Sequence, residues 1–472
     1  MLLSWLDRRL FVLGALILNA IVGLVIVLVP QIYADYGLVL FAIGAFVAGV
    51  TLWFFRDNLL FQARLALLIT IGSYAGLVKV IDPSAAFSTL EIDTQTLEIG
   101  ARMFGLTSLA LLGAVGGLLA AGLGLSRQPG YAWKGIATGI GTPLPQLWVA
   151  TGLVLLTGYL SARSFGPTVF EVVYASGEGE GQLLGNLQAI GVISLVVAAV
   201  AGSRLNKRWV TPLLIFLGVY FFGWGILVRG GRLEAVSGLF ALIVAVPAAH
   251  GRVVRLRAYH YLGLLVLALF LEAWGSLRST LAYADATGET VIEGYKRLAD
   301  SGIYHAGTIS SMATTFSNTL HMIDHNIINF EYGKTYFDYL LRSPPEFMYP
   351  DRPVDLAWMF QDHGYAAIGG FFELAEAYLN FGILGCLAIP FLISFLMGIC
   401  YRKALMGKFL WFMILVALLA FFFRGAWYQT FAYYKGALTG LVMFLLFVSV
   451  KDLFSRPRIK ESQPSHAQTQ TL

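Results

Sequence analysis

Charge is what this chain has least of. Asp, Glu, Lys and Arg make up 12% of its 472 residues, against about 25% in soluble domains, and that scarcity excludes a water-soluble globular protein. Cysteine is nearly absent. Cys386 and Cys400 fall on one predicted helix, about 21 Å apart at helical rise. They cannot bond to each other, and neither a disulfide framework nor a cysteine-based metal site is expected. Also missing are a phosphate-cradling GxxxxGK[ST] loop, a nucleophile elbow and a DxD-like pair of metal carboxylates. Those absences argue against ATP-driven transport and against a metal-dependent transferase that uses nucleotide sugars. No metal and no cofactor is expected.

What is present is apolar: 58% of residues are hydrophobic and the mean hydropathy is +0.73. Runs long enough to cross roughly 30 Å of hydrocarbon lie near 10–30, 36–55, 59–80, 103–125, 143–162, 186–202, 210–228, 235–250, 259–275, 371–400, 409–423 and 433–450. The expected fold is an all-α polytopic integral membrane protein of about twelve transmembrane helices with one large external loop. Its parts are membrane helices over 1–275, the loop over 276–370, further helices over 371–450 and a tail over 451–472. The first span follows Arg8 and Arg9 without a small-residue cleavage site and reads as a retained signal anchor.

Lysine and arginine set the orientation, since they mark the cytoplasmic side of short loops. Arg8, Arg9, Arg56, Arg64, Arg127, Lys134, Arg204, Lys207, Arg208, Arg252, Arg255, Arg257, Arg402, Lys403, Lys408 and the basic tail fall on one face of the predicted spans. Both termini are then cytoplasmic, and the carboxylate-rich segments Glu91–Glu98, Glu171–Glu180 and 276–370 lie outside. The net charge of +5 is a topology signal and implies no nucleic acid.

Arginines on the other side break that bias. Arg229 and Arg232 occupy the turn VRGGRLE, Arg424 the turn FFFRGAWYQ, and Arg102, Arg163 and Arg278 lie at other external span ends. A guanidinium fork matches phosphate oxygens, and the flanking Gly230, Gly231 and Gly425 allow backbone N–H groups to approach the same anion. The alternative is arginines that reach lipid headgroups or pair with Glu234 and Glu272.

Acid–base candidates cluster around the last part of the loop. Glu373 and Glu376 are three residues apart and share a helix face, where repulsion and burial suit one of them to act as a base. Equally, Glu376 could be a hydrogen-bond hub and Glu373 a solvated charge at a helix start. His321 and His325 in TLHMIDHNII share a helix face too. They are candidates for acid–base work or substrate contact, or they sit on an amphipathic helix lying on the bilayer surface. Met322 stands where a zincin would have glutamate, and no third ligand follows at recognisable spacing. Asp362 and His363 in QDHGY are comparable candidates or loop caps. The loop is dense in aromatics, which form an interfacial belt or sugar platforms.

One stretch carries a family resemblance. Pro344-Pro345, Tyr349-Pro350, Arg352-Pro353, Gly369-Gly370, Ala375-Glu376, Tyr378, Asn380-Phe381-Gly382 and Gly385 resemble the P…YP.(K/R)P…GG…AE.Y.NFG..G pattern of O-antigen polymerases, the Wzy-type oligosaccharide repeat-unit polymerases. The match covers about a tenth of the chain. It implies a bacterial inner-membrane glycosyltransferase that joins undecaprenyl-diphosphate-linked oligosaccharide units at the periplasmic face, with Glu376, Tyr378 and Asn380 in its site. Membrane lipid is the expected surrounding partner, and a chain-length regulator is one the resemblance leaves open. The arginines Arg229, Arg232, Arg278 and Arg424 supply an independent reason for a diphosphate. An O-antigen ligase, which uses the same donor, is the alternative. A transporter of lipid-linked sugar is disfavoured, because the predicted helix centres look almost wholly apolar.

Overall fold

An apolar backbone segment in lipid has to satisfy its own N–H and C=O groups, and a helix does so within one run of chain. The structure, a computed structural model, describes residues 2–82, 96–123, 143–163, 178–205, 207–224, 232–254, 280, 284, 287–300, 308–342, 349, 351, 353, 356, 371–427 and 430–455. Among these residues every regular element is helical. In chain order they are α1 (Leu2–Leu28), α2 (Gln31–Phe54), α3 (Leu59–Ile81), α4 (Leu97–Ala120), α5 (Pro143–Arg163), α6 (Glu178–Ser203) and α7 (Val210–Gly218), which continues as a π-helix over Val219–Trp224. There follow α8 (Arg232–Ala249), α9 (Val291–Asp300), α10 (Thr308–Asp324), α11 (Lys334–Leu341), α12 (Glu373–Leu405), α13 (Phe409–Ala420), α14 (Phe422–Trp427) and α15 (Phe431–Ser455).

Seven of the described helices are long and apolar enough to cross a membrane: Leu10–Leu28, Gln31–Phe54, Leu59–Ile81, Leu97–Ala120, Pro143–Ser161, Glu373–Leu405 and Phe431–Phe454. Leu187–Ser203, Val210–Gly223, Ala235–Ala249 and Phe409–Ala420 are shorter apolar helices. The chain is thus an α-helical, multi-pass membrane protein. The run expected at 259–275 lies outside the described residues.

Helix α4 is the hub, packed against α1, α3 and α12. Glycines let backbones touch: a Cβ on Gly113 would meet the Leu387 carbonyl oxygen at 2.2 Å, and one on Gly117 the Phe391 carbonyl oxygen at 2.2 Å. Close approach of this kind drives association where lipid removes the hydrophobic incentive. At one end of the bundle Arg402 Nη1 donates to the Ala121 carbonyl at 3.3 Å, Leu59 N to Val254 O at 3.3 Å, and Ser203 Oγ meets His250 Nε2 at 3.0 Å. The opposite end holds the α1–α2 turn, the start of α4, the end of α10 and the start of α15.

Helix α12 departs from the expected single span over 371–400. Gly382 breaks it with φ 59° and ψ −142°, and the chain folds back on itself. Cys386 Sγ contacts the Leu374 carbonyl at 3.6 Å, although twelve residues of straight helix cover about 18 Å. The arm 373–381 is therefore a half-helix antiparallel to the arm 383–405, and its start lies roughly 13 Å from the Gly382 turn. Glu373 to Asn380 are all buried in protein, as irregular chain at membrane depth requires. Cys386 and Cys400 are both free and buried.

Helix α10 also differs from expectation. It does not lie on the bilayer surface: Ala313, Thr314, Thr315, Phe316, Ser317, Asn318, Thr319 and Leu320 are each 0% exposed, and the helix packs on α3, α4 and α12. Its small polar residues fit close helix contact, which the mixed pattern of TISSMATTFSNTL leaves open.

Candidate functional site

The half-helix places three polar layers one above another. Deepest is an ion pair. Arg64 of α3 forms two hydrogen bonds with Glu373, Nη1 to Oε2 at 2.7 Å and Nη2 to Oε1, and both side chains are 0% exposed. Arg64 Nε donates to Ser394 Oγ at 3.1 Å, and Tyr433, which adjoins Arg64, donates to the Phe422 carbonyl at 2.9 Å. Two expectations fall here. Arg64 is no boundary cation and Glu373 no solvated charge; each is buried because the other neutralises it. The premise that ionisable groups keep to span ends fails with them.

The middle layer surrounds Glu376, which is 0% exposed. Its Oε1 accepts from Thr335 Oγ1 at 3.0 Å and from the Tyr339 hydroxyl, and its Oε2 accepts from Thr430 Oγ1. Asn380 completes the layer: Nδ2 donates to Thr335 Oγ1 at 2.7 Å and to the Glu376 carbonyl at 2.9 Å, while Oδ1 accepts from Gly333 N at 2.9 Å. Glu331 N caps the Leu379 carbonyl at 3.0 Å. One carboxylate thus ties α11, the α14–α15 connection and the half-helix together. Burial first, then the adjoining Glu376, pushes the Tyr339 hydroxyl well above the ordinary tyrosine range, so Tyr339 remains a donor. The interfacial-belt reading does not apply to Tyr339, which is buried.

The upper layer is accessible. Arg102, at the start of α4, pairs with Asp324 at the end of α10 and donates to the Tyr378 hydroxyl at 2.8 Å. Side-chain exposure is 13% for Arg102 and 33% for Asp324. Beside Asp324, the rings of His321 and His325 stack at 3.9 Å. His325 Nδ1 lies 2.9 Å from the His321 carbonyl. A carbonyl only accepts, so Nδ1 carries hydrogen, and neutral His325 presents Nε2 as a lone pair. Among the described residues no set of three His, Cys, Asp or Glu is placed to hold a metal ion.

Next to these layers an apolar groove of about 650 Å³ runs along the outer side of α12. Phe330, Tyr332, Asn380, Phe381 and Gly382 form its upper part, and Leu384, Ala388, Ile389 and Leu392 its length. Leu384 is 74% and Leu392 50% exposed, as side chains facing lipid tails are. Asn380 belongs to both the groove and the Glu376 layer.

Of the residues singled out from sequence, Glu376, Tyr378 and Asn380 share the half-helix, and Tyr378 is joined through Arg102 to the segment carrying His321 and His325. Arg424 lies half-buried in α14. Arg232 begins α8, but its side chain, like the whole of Arg229, Arg278, Asp362 and His363, lies outside what the structure describes. Sequence reasoning missed the Arg64–Glu373 pair, the hydroxyls of Thr335, Tyr339 and Thr430, and Arg102 as the link between α4, α10 and the half-helix. An arginine five residues inside a predicted span is the available signal for the first.

No protein-family pattern matches this chain, and neither a characterised protein nor a solved structure is recognisably similar to it.

Proposed function

We infer that this protein is a membrane glycosyltransferase that polymerises lipid-linked oligosaccharide units at the periplasmic face of a bacterial inner membrane. The observation that carries this reading is the meeting of a polar cluster and a lipid-facing groove at the Asn380–Gly382 turn. A substrate with a polyprenyl tail and a sugar head needs both surfaces side by side. In this reading the bundle crosses the membrane about twelve times, the Arg402 end faces the cytoplasm with both termini, and the Gly382 end faces out.

The acceptor hydroxyl of the incoming unit attacks the anomeric carbon of the growing glycan. The bond from that carbon to the diphosphate oxygen breaks, and the undecaprenyl diphosphate leaves with the electron pair. His325, exposed and base-competent at Nε2, takes the hydroxyl proton. Arg102, held by Asp324 and Tyr378, faces the same space and orients the sugar hydroxyls. Glu376 positions the half-helix, because both its oxygens are already committed to buried hydroxyls. External arginines, Arg424 among them, stabilise the leaving diphosphate.

A strain lacking the gene tests this. Loss of long surface glycan with single units still attached to their acceptor supports polymerase, and loss of all attachment means ligase instead. A second reading, transport of the lipid-linked unit, is favoured by one observation: a broken helix with charge at depth is a transporter device. Against it, Arg64 and Glu373 are satisfied by each other. In a transporter the deletion would leave single units on the cytoplasmic side.

A further inference from the structure

The upper end of the groove carries an unusual backbone. Lys334 N donates to the Glu331 carbonyl at 2.8 Å, which closes a β-turn with Tyr332 at φ 46° and Gly333 at φ 92° in its centre. Two successive residues at positive φ make a type I′ turn, whose first central position favours asparagine, aspartate or glycine. A tyrosine stands there instead. The other non-glycine residue at positive φ among the described residues is Asn326, at φ 54°, a residue type that tolerates the left-handed region.

The half-helix holds this strain in place. Glu331 N donates to the Leu379 carbonyl at 3.0 Å and Gly333 N to Asn380 Oδ1 at 2.9 Å, so the residues on both sides of Tyr332 are tied to the last turn of the half-helix. Gly333 also lies against Phe381, since a Cβ there would come within 3.0 Å of the tip of that ring. Surroundings that over-determine an unfavourable conformation in this way concentrate at ligand sites.

Packing of the side chain does not account for the strain. Tyr332 is 80% exposed, and its ring meets Phe330 obliquely, with 6.3 Å between centres. An interfacial anchor does not account for it either, because a tyrosine at headgroup depth needs no left-handed backbone. What the turn achieves is placement. The ring stands in the upper part of the lipid-facing groove with Asn380 and Phe381. Toward the polar cluster, Phe330 alone separates it from Tyr378, whose ring centre lies 6.0 Å from that of Phe330 and whose hydroxyl accepts from Arg102. The surface suited to a lipid tail and the surface suited to sugar hydroxyls therefore meet at one exposed ring.

We propose that Tyr332 is the stacking platform for the sugar nearest the lipid in the substrate, a pyranose whose C–H face lies on the tyrosine ring. The negative face of the ring attracts the weakly positive C–H hydrogens, and its flat apolar surface is free to receive them. The identity of the ligand rests on the glycosyl-transfer reading, whereas the strained turn and its exposed ring do not.

The test uses the full chain in nanodiscs of zwitterionic lipid and probes that share a farnesyl diphosphate tail. One probe has no sugar, and the others carry glucose, galactose or N-acetylglucosamine. Binding is read by microscale thermophoresis. At least one sugar-bearing probe should bind the wild type about fivefold tighter than the sugar-free probe, the worth of one good aromatic contact. Tyr332→Asn should erase that preference and bind the sugar-free probe as the wild type does, while Tyr332→Trp should keep most of it. Without probe, Tyr332→Asn should melt above the wild type, because asparagine suits the turn and the lost ring packs on little. Higher stability with lost sugar preference is the mark of a ligand contact, since replacing a structural tyrosine lowers stability. A wild type that prefers none of the sugar-bearing probes overturns the proposal, as does a Tyr332→Asn variant that keeps the preference or melts below the wild type. Surface glycan in a strain lacking the gene separates this assignment from the reading beneath it. Intact glycan in that strain, with sugar preference lost in Tyr332→Asn, keeps the platform and removes glycosyl transfer. Loss of long glycan, with the preference unchanged in Tyr332→Asn, keeps the polymerase and removes the platform.

Discussion

Arg64 and Glu373 meet through two hydrogen bonds across 309 residues of sequence, and neither side chain has any exposed surface. The pair fixes where the half-helix starts and, through it, the depth of Glu376, Tyr378 and Asn380. Removing one partner leaves a buried charge uncompensated, at a cost of about 3–5 kcal/mol, whereas replacing both with apolar residues of similar volume is often neutral or stabilising. Arg64→Met and Glu373→Leu should therefore each lower the melting temperature in detergent sharply, and the double variant should recover most of it. A double variant as unstable as the worse single one would show that the pair does not act as a unit.

Gly382 sets the reversal. Its φ of 59° with ψ −142° is a backbone state that L side chains adopt only at a cost of about 1–3 kcal/mol. Gly385 adds a steric condition, since a Cβ there would lie 2.0 Å from the Ala377 carbonyl oxygen. Gly382→Ala and Gly385→Ala should both reduce the yield of folded protein, with Gly385→Ala the more severe because two backbones would have to separate. Gly14, where the Cβ of an alanine would meet nothing within 4 Å among the described residues, is the control, and Gly14→Ala should behave as wild type.

Much of this architecture is legible in sequence and some is not. Apolar length identifies α1 to α4 as membrane helices because any run of that length must satisfy its backbone in lipid. The same criterion fails for α12: 371–400 reads as one span, and only the torsion at Gly382, which a single glycine letter does not disclose, divides it. Arg64 is misread for a related reason. The positive-inside rule counts cations near span ends and cannot see a carboxylate that arrives from 309 residues away. By contrast, the polar density of Glu373, Glu376, Tyr378 and Asn380 does announce a protein-facing helix, since lipid would leave those groups unpaired. What no local pattern reveals is the donor set of Glu376, drawn from Thr335, Tyr339 and Thr430 on other elements.

Orientation is tested at the two ends of the bundle. Arg402, Lys403 and Lys408 lie at one end, with α11 at the other. A reporter fused at Lys403 should read cytoplasmic and one at Asp338 should read periplasmic. The opposite result would place the Arg102–Asp324 cluster in the cytoplasm, out of reach of a substrate already carried across the membrane.

The division of labour between Glu376 and His325 gives the sharpest test of the chemistry. Glu376 is enclosed and accepts three hydroxyl bonds, so its loss is felt first as stability: each donor left buried without a partner costs about 1–3 kcal/mol. Glu376→Ala should lower the melting temperature markedly. Glu376→Gln keeps the shape, and the threonine hydroxyls can turn to accept from its amide, so that variant should fold and retain polymer within about tenfold of wild type. His325 is exposed and contributes little to packing, yet removing a general base costs about two to four orders of magnitude in rate. His325→Gln should therefore melt as wild type does and make almost no polymer. If Glu376→Gln abolishes polymer in a stable protein while His325→Gln is active, the roles are reversed and Glu376 is the base.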